Sequence, residues 1–166
     1  AIRCAQLGFK TALIEKYSTL GGTCLNVGCI PSKALLDSSE HFHNALHNFE
    51  THGIKISKPK VDISQMINRK NEVVSQTTAG IDYLMKKNKI DVLTGTGSFK
   101  DKNTIFVTAS DGKTQEISSD KTIIATGSKP LILPFMNFDG KRVLTSTEAL
   151  NLKEVPKNLI VIGGGV

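Results

Sequence analysis

The segment from Gly21 to Lys33 constrains the fold of this chain most strongly. It places Cys24 and Cys29 five positions apart in a chain with three cysteines. In a regular α-helix, residues five apart are rotated by about 140° and rise about 7.5 Å, which separates their Cα atoms by about 8.6 Å. A disulfide requires Cα atoms within roughly 7 Å. A redox pair at these positions therefore needs a distorted helix, and Gly28 provides the backbone freedom for one.

Pro31 and Lys33, which follow Cys29, support the same interpretation. Pro31 lacks an N–H donor and disfavours a helical conformation at Ile30, which predicts a bent helix start. Lys33 follows Cys29 by four positions and lies on the same helical face. Helical N–H groups and a neighbouring ammonium group stabilise a thiolate. We interpret the segment as a redox-active dithiol.

Two other interpretations of the cysteines stay open on the residues alone. Free cysteines are often small buried hydrophobic residues. Alternatively, Cys24 and Cys29 could bind zinc together with His43 and His47, which are four apart on a predicted helix. Because Cys-x4-Cys is an uncommon zinc spacing, we predict no metal.

Composition restricts the classes of function. A chain of 166 residues can form one good core, or one domain and a piece of another. The net charge of +6 is spread without an aromatic-interleaved basic run, so nucleic-acid binding is not expected. No apolar run approaches about 20 residues and no signal peptide opens the chain, so we expect a soluble protein without a membrane segment. Three cysteines fit a reducing compartment and a transient catalytic disulfide.

The N-terminal pattern is typical of a dinucleotide-binding fold. Residues 1–7 read as the end of a helix with Gly8 as its C-terminal cap, and Thr11 to Ile14 read as a strand that ends in Glu15. In such folds the acid after the strand binds ribose hydroxyls. The alternative for Glu15 is a solvated charge. The Gly-x-Gly-x-x-Gly turn that should come before this pattern is absent from the sequence.

Two helices and a polar connection are predicted next. Apolar spacing predicts a helix from Ser32 to about Phe49, whose histidines are assigned a polar face and no catalytic role. Residues 53–61 form the connection. Asp62 or Ser64 should cap a long helix that runs to about Lys87.

A β region follows. The predicted strands are Ile90 to Phe99, Thr104 to Ala109 and Gln115 to Ala125, with a hairpin turn at Asp111-Gly112. The Gly95-Thr96-Gly97 tripeptide should allow a close backbone approach.

Three short patterns close the chain. Thr122 to Gly127 reads as a buried strand that enters a glycine turn. Thr145 and Glu148 have the spacing of a capping box for a short helix through Leu150. Residues 158–165 read as a strand entering a second dinucleotide-binding turn.

The dithiol segment resembles the active-disulfide segment of the pyridine nucleotide–disulfide oxidoreductases, most closely their lipoamide-oxidising branch. The resemblance extends through residues 1–16, 122–127 and 163–165, which is essentially the whole chain. Glutathione and mercuric reductases share the Gly-Gly-Thr-Cys and Gly-Cys parts. The Ile-Pro-Ser-Lys-Ala-Leu run at 30–35 favours the lipoamide branch.

The resemblance implies an α/β fold: the FAD-binding Rossmann-like domain of a two-dinucleotide-binding flavoprotein, truncated at both ends, with an antiparallel β segment. Residues 1–150 would be the FAD-binding domain without its first strand and glycine turn. Residues 151–166 would begin the NAD-binding domain. The family's acid–base His-Glu pair has no match here, so we expect the excerpt alone to be inactive.

The implied activity is the oxidation of dihydrolipoamide on a carrier protein, with NAD+ as acceptor, through FAD and the dithiol. Cys24 would exchange with substrate, Cys29 would lie as a thiolate against the flavin, and Lys33 would support negative charge there. The implied partners are a lipoyl-carrying protein of 2-oxo acid dehydrogenase complexes or the glycine cleavage system and a second copy in a homodimer. The implied compartment is bacterial cytoplasm or mitochondrial matrix. Alternatives are a glutathione or mercuric reductase, or a non-catalytic nucleotide- or zinc-binding module.

The resemblance also assigns cofactor contacts. Glu15 would hold the adenosine ribose of FAD, and Gly97 would offer its backbone to the adenine side, although a strand bulge is an alternative for Gly97. The residues expected to bind FAD or NAD are Glu15, Lys16, Gly21, Gly22, Thr23, Cys24, Lys33, Gly97, Ala125, Thr126, Gly127, Ser128, Gly163 and Gly165.

Overall fold

A computed structural model describes residues 1–164 of the chain. It has the predicted α/β architecture, with one parallel and one antiparallel sheet. The chain divides into two units. The first comprises Ala1–Asn26 and Val74–Lys129, and the second comprises Val27–Val73 and the residues from Pro130 onward. The predicted domain boundary at residue 150 stays a prediction.

The first unit begins with the predicted helix and strand. Helix α1 spans Ile2–Gln6, and Gly8 follows it with φ of +89°, the left-handed conformation that ends helices. Strand β1 spans Ala12–Glu15 and pairs in parallel with β2, Asp91–Thr94. Parallel pairing requires a crossover connection between the strands, and here the chain from residue 16 to residue 90 provides it.

Apolar side chains from several segments form the core of the first unit. Leu20, Met85 and Ile90 are buried together. The partly buried residues packed against this cluster are Ile2, Ala5, Leu13 and Ile81. The core therefore packs α1 and β1 against the end of the long helix.

The antiparallel sheet also lies in the first unit. Its order is β3, β4, β5, with spans Thr96–Phe99, Thr104–Thr108 and Thr114–Ser118. The predicted turn joins β4 to β5: Gly112 has φ of +82° and donates its N–H to the Ala109 carbonyl at 3.0 Å.

A single predicted strand over 90–99 is wrong, because Gly95 divides it. β2 pairs with β1, whereas β3 pairs with β4. Gly95 has φ of +156°, and a Cβ there would lie 2.7 Å from the Thr108 carbonyl oxygen. The chain changes sheets at a position where only glycine avoids that oxygen.

The dithiol segment, residues 21–33, lies in two consecutive helices. Helix α2 spans Gly22–Val27, and α3 spans Cys29–His47, followed by a short 3₁₀ helix at Phe49–His52. Gly28 separates α2 from α3 with φ of −133° and ψ of −117°.

The long helix α4 spans Ile63–Lys87, as predicted. Its N-terminus is capped by Asp62, whose carboxylate accepts the Gln65 N–H at 3.0 Å. In the second unit, α4 packs on α3 through Arg69. The Arg69 guanidinium donates to the Ala34 carbonyl at 2.9 Å and to the Asp37 carboxylate at 2.6 Å.

The last helix, α5, spans Ser146–Ala149. The predicted capping box is present: the Thr145 hydroxyl accepts the Thr147 N–H at 3.2 Å, and the Glu148 carboxylate accepts the Thr145 N–H at 2.8 Å.

Two predicted strands are absent from the described residues. Residues 119–133 form no strand, and Ile123 and Ile124 are 76% and 72% exposed instead of buried. Residues 158–164 likewise form no strand, and Ile160 is 88% exposed. A strand needs a ladder partner, and within residues 1–164 neither segment has one. Residue 165 lies outside the described residues.

None of the helices formed by residues 1–164 is both long enough and apolar enough to cross a membrane.

Candidate functional site

The break between α2 and α3 places Cys29 at the first position of a helix. Because Gly28 is not helical, α3 begins at Cys29. The Gly28 carbonyl accepts the Ser32 N–H at 3.1 Å and the Ser32 hydroxyl at 2.6 Å. The predicted distortion at Gly28 is confirmed. It leaves the Cys29 sulfur in the first turn of α3, where backbone N–H groups have no intrahelical acceptor.

The prediction that Pro31 keeps Ile30 out of the helix is wrong. Both residues lie within α3, and the Pro31 side chain is fully buried. A proline in the first helical turn costs no hydrogen bond, since an N–H at that position has no acceptor four residues earlier. Pro31 therefore anchors the start of α3 by burial.

The glycines at the start of α2 are required by the chain's own geometry. Gly21 has φ of +103°, and a Cβ there would lie 2.5 Å from a methyl carbon of Leu25. Gly22 has φ of +63° with open space around it. The Asn26 side chain closes this turn by donating to the carbonyls of Leu20 at 3.1 Å and Gly22 at 2.9 Å. This role of Asn26 was not predicted, because side-chain bonds to a turn leave no periodic signal.

The side chains of the candidate dithiol are accessible. Cys24 in α2 and Cys29 in α3 are both exposed, and so are Thr23 and Lys33. Lys33 lies one turn after Cys29 on α3, as the spacing predicts. Cys24 belongs to the first unit and Cys29 to the second, so their pairing stays a prediction.

Glu15 ends a parallel strand, the position predicted for a ribose-binding acid. It is half-buried, and one carboxylate oxygen accepts the Tyr17 N–H at 3.0 Å. Its backbone carbonyl accepts the Gly95 N–H at 2.9 Å, which joins the ends of β1 and β2. Ligands of parallel α/β sheets bind at this carboxyl edge. Lys16 is exposed and lies over the Tyr17 ring at 4.9 Å.

Gly97 occupies a regular position in β3 opposite Val107, so the strand-bulge interpretation is wrong. A Cβ at Gly97 would lie 3.5 Å from Ile14 of β1, an ordinary contact. The close backbone approach predicted for this glycine pair occurs at Gly95, against Thr108. The proposed adenine contact of Gly97 stays a prediction.

The other predicted cofactor residues lie in irregular, exposed segments. Residues 125–128 are exposed, and Gly127 has φ of +76°. Gly163 is exposed with φ of +96°, and Gly165 lies outside the described residues. Their assigned contacts stay predictions.

The zinc interpretation requires a cluster of ligands, which the described residues do not form. His43 and His47 lie together on α3 with ring centroids 4.6 Å apart. Within residues 1–164, however, no group of three or more His, Cys, Asp and Glu side chains is placed to hold a metal ion.

Comparisons with known proteins identify the family of this chain. The family model described as pyridine nucleotide-disulphide oxidoreductase matches residues 1–166. A dihydrolipoyl dehydrogenase of Trypanosoma brucei brucei is 51% identical over 100% of this chain and 35% of its own length. A mitochondrial dihydrolipoyl dehydrogenase of Pisum sativum is 49% identical over 99% of this chain and 33% of its own length. The crystal structure of LpdA from Mycobacterium tuberculosis matches with a TM-score of 0.83 and 26% identity, over 94% of this chain and 34% of that one.

The fold and the dithiol segment define an α/β redox protein of the dinucleotide-binding kind. The whole-length match is more specific: this chain belongs to the pyridine nucleotide-disulphide oxidoreductase family. The predicted similarity to the lipoamide-oxidising branch is confirmed. The chain spans about a third of the length of these curated relatives.

Proposed function

We propose that this chain is the FAD-binding and dithiol-bearing part of an NAD-dependent dihydrolipoyl dehydrogenase. The observation that carries the proposal is the exposed pair Cys24 and Cys29, placed on either side of a helix break in a chain about half identical to two such enzymes. Those relatives are named for this activity. The helix break at Gly28 supports the proposal, because two cysteines five positions apart in one regular helix could not pair.

The residues present fit FAD at the edge of the parallel sheet. Glu15 ends β1, the position from which an acid binds ribose hydroxyls in dinucleotide-binding folds, and only one of its carboxylate oxygens accepts a hydrogen bond within the described residues. Because Gly97 has no side chain, the backbone of β3 is open to a ligand at this position. Thr126, Gly127 and the other predicted contacts at 125–128 are accessible. When bound, FAD would take an electron pair from the dithiol and pass it to NAD+.

The two sulfurs would have unequal tasks. In the oxidised form Cys24 and Cys29 would be joined by a disulfide. One thiolate of dihydrolipoamide attacks Cys24 and displaces Cys29 as a thiolate. The second substrate thiol then displaces Cys24, so that lipoamide leaves as a disulfide and the enzyme keeps both electrons. We assign the leaving role to Cys29 from its placement, because it begins α3 and Lys33 follows one turn later on the same helix.

The proposed partners follow from this activity. A lipoyl-carrying protein of a 2-oxo acid dehydrogenase complex or of the glycine cleavage system would deliver the substrate, and the full-length protein would be a homodimer. The similarity to a mitochondrial relative supports the mitochondrial matrix, with bacterial cytoplasm as the other compartment in which such enzymes work.

The proposal is tested on the full-length flavoprotein with Cys24→Ser, Cys29→Ser and the control Cys4→Ser, a half-buried cysteine of α1. We expect Cys24→Ser to lose turnover of dihydrolipoamide but to keep the long-wavelength absorption of a thiolate beside the flavin. Cys29→Ser should lose both properties, and Cys4→Ser should lose neither. The measurements are an anaerobic spectral titration and steady-state kinetics.

Three results would contradict parts of the proposal. Full activity in either dithiol variant would exclude the dithiol mechanism, and absorption kept only in Cys29→Ser would reverse the two roles. If the wild-type protein reduces glutathione disulfide or mercuric ion with NADPH and does not oxidise dihydrolipoamide, the substrate is that of another branch of the family.

A further inference from the structure

A buried lysine that the proposed chemistry does not use lies in the middle of α4. Lys70 is only 4% exposed, and it is the sole charged side chain buried to this degree among residues 1–164. Its ammonium forms no ion pair within the described residues. Burying an uncompensated ammonium group is costly. Its presence therefore needs a reason other than packing.

The partner of Lys70 is Asn151, which lies 81 positions later in the same unit. Lys70 Nζ donates to the Asn151 Oδ1 atom at 2.8 Å. The Asn151 N–H in turn donates to the Glu148 carbonyl at 2.9 Å, and its side-chain amide donates to the Thr147 carbonyl at 3.5 Å. Asn151 thus links the buried lysine to the C-terminal end of α5.

Helix α5 needs an external support. It has four residues, and helices this short are not stable on their own in water. The capping box of Thr145 and Glu148 holds its first turn, whereas the Lys70 bond holds its last carbonyls through Asn151. After Asn151 the described chain has no further helix or strand up to Gly164.

We propose that Lys70 is a positioning residue for the nicotinamide-binding part of the enzyme: through Asn151 it fixes where the segment leading to the second glycine turn, residues 152–164, begins within the second unit. The proposal rests on the proposed function, since it assigns that segment to the NAD site. Lys70 itself touches no reacting group. Its role is to set the starting point of a segment that has no internal hydrogen-bond ladder in this chain.

The test uses Lys70→Met and Asn151→Leu in the full-length enzyme, with Lys86→Met on the exposed face of α4 as the matched control. We expect both variants to raise KM for NAD+ about fivefold or more, because small displacements of a binding element are costly. KM for dihydrolipoamide should not change. Stability of Lys70→Met to urea should be equal or higher, since an apolar side chain of similar length removes a buried charge. A purely structural lysine would instead lower stability and leave the two KM values in their original ratio.

Two further variants sharpen the result. Asn151→Asp keeps an acceptor for Lys70 and should retain the wild-type KM for NAD+. The double variant Lys70→Met/Asn151→Leu should be no worse than either single variant, because both remove one interaction. Additive effects, or an equal rise in both KM values, would overturn the proposal. If Lys70→Met does not fold, the exposed Asn151 variants decide the question alone.

A failure of the proposed function would be distinguished from a failure of the Lys70 proposal by the turnover of the wild-type enzyme. If wild-type enzyme shows no turnover of dihydrolipoamide with NAD+, that function is excluded. Amide exchange at residues 145–151 then decides the Lys70 proposal. Faster exchange in Lys70→Met and Asn151→Leu, but not in Lys86→Met, supports the anchor, and unchanged exchange overturns it.

Discussion

Single residues in this chain show why one glycine can be essential while its neighbour is not. Gly95 and Gly97 are two positions apart and flank the start of β3. A Cβ at Gly95 would lie 2.7 Å from a backbone oxygen, which cannot move without breaking the sheet. A Cβ at Gly97 would make ordinary contacts of 3.5 Å with Ile14. The requirement for glycine is therefore set by the exact path of the chain between the two sheets.

Gly95→Ala should lower the free energy of unfolding by about 1–3 kcal/mol, the usual cost of forcing extra atoms into a packed site. Gly97→Ala should change it by less than about 1 kcal/mol, because its methyl group fits and the unfolded chain loses entropy. Urea denaturation followed by circular dichroism measures both. Equal losses in the two variants would contradict the role of Gly95 as the point where the chain changes sheets.

At the scale of elements, the Arg69 guanidinium of α4 binds α3 through several hydrogen bonds. Arg69 contacts the Ala34 carbonyl and the Asp37 carboxylate, and α3 begins with Cys29. The ion pair is about half exposed, at 43% and 50%, so its Coulomb energy is screened by solvent. The bond to the carbonyl of buried Ala34 adds a directional contact that a surface pair lacks.

Arg69→Lys should lower the free energy of unfolding by about 1 kcal/mol, because an ammonium group cannot bind both acceptors in the same planar geometry. Lys113→Gln is the control, since it removes the more exposed pair with Asp111 and should have almost no effect. Chemical denaturation in low and high salt gives both values. A loss for Lys113→Gln as large as that for Arg69→Lys would show that the contact with α3 carries no special weight.

The pH dependence of stability is a property of the whole molecule, and two sets of groups set it. Backbone N–H bonds from Lys141, Val143 and Arg142 lower the pKa of Asp139. Burial lowers the pKa of Lys70 below its ordinary value of 10.5. The other carboxylates whose pKa is lowered, by hydrogen bonds, are Asp101, Asp111 and Glu148.

Both effects make stability rise with pH, but their causes differ. As pH falls below the ordinary carboxylate value of 3.8, the unfolded chain binds protons before folded Asp139 does, so stability is lost as pH falls through the folded pKa. Between the folded pKa of Lys70 and 10.5, the unfolded chain also holds more protons, so stability rises with pH.

Urea denaturation over a pH series should therefore show stability falling at acid pH and a gain contributed by Lys70 at alkaline pH. Lys70→Met should lack the alkaline gain and keep the acid loss, while Asp139→Asn should make the acid loss less steep. Lys86→Met should follow the wild type throughout. An alkaline gain that persists in Lys70→Met would assign it to another group.

Much of this chain could be predicted because its signals are local. Asp62 caps α4 and Thr145 pairs with Glu148 as predicted, since a cap depends on residues within one turn. The break at Gly28 was predictable because a regular helix cannot carry a disulfide between residues five positions apart, and the dithiol segment identified the family. The cofactor contacts assigned by resemblance, such as those of Glu15 and Gly97, remain predictions.

The sequence by itself determined helices α1, α3, α4 and α5, the hairpin turn, the strand that ends at Glu15 and the family, because propensity, caps and motifs are encoded in neighbouring residues. Only the tertiary structure decided which apolar runs become strands: residues 104–108 found partners, whereas Ile123, Ile124 and Ile160 stayed exposed. It also decided that Gly95 divides the β region and that Lys70 meets Asn151 across 81 positions. The physical reason is that a β-ladder or a buried polar contact needs a partner distant in sequence, and no local pattern shows where that partner lies.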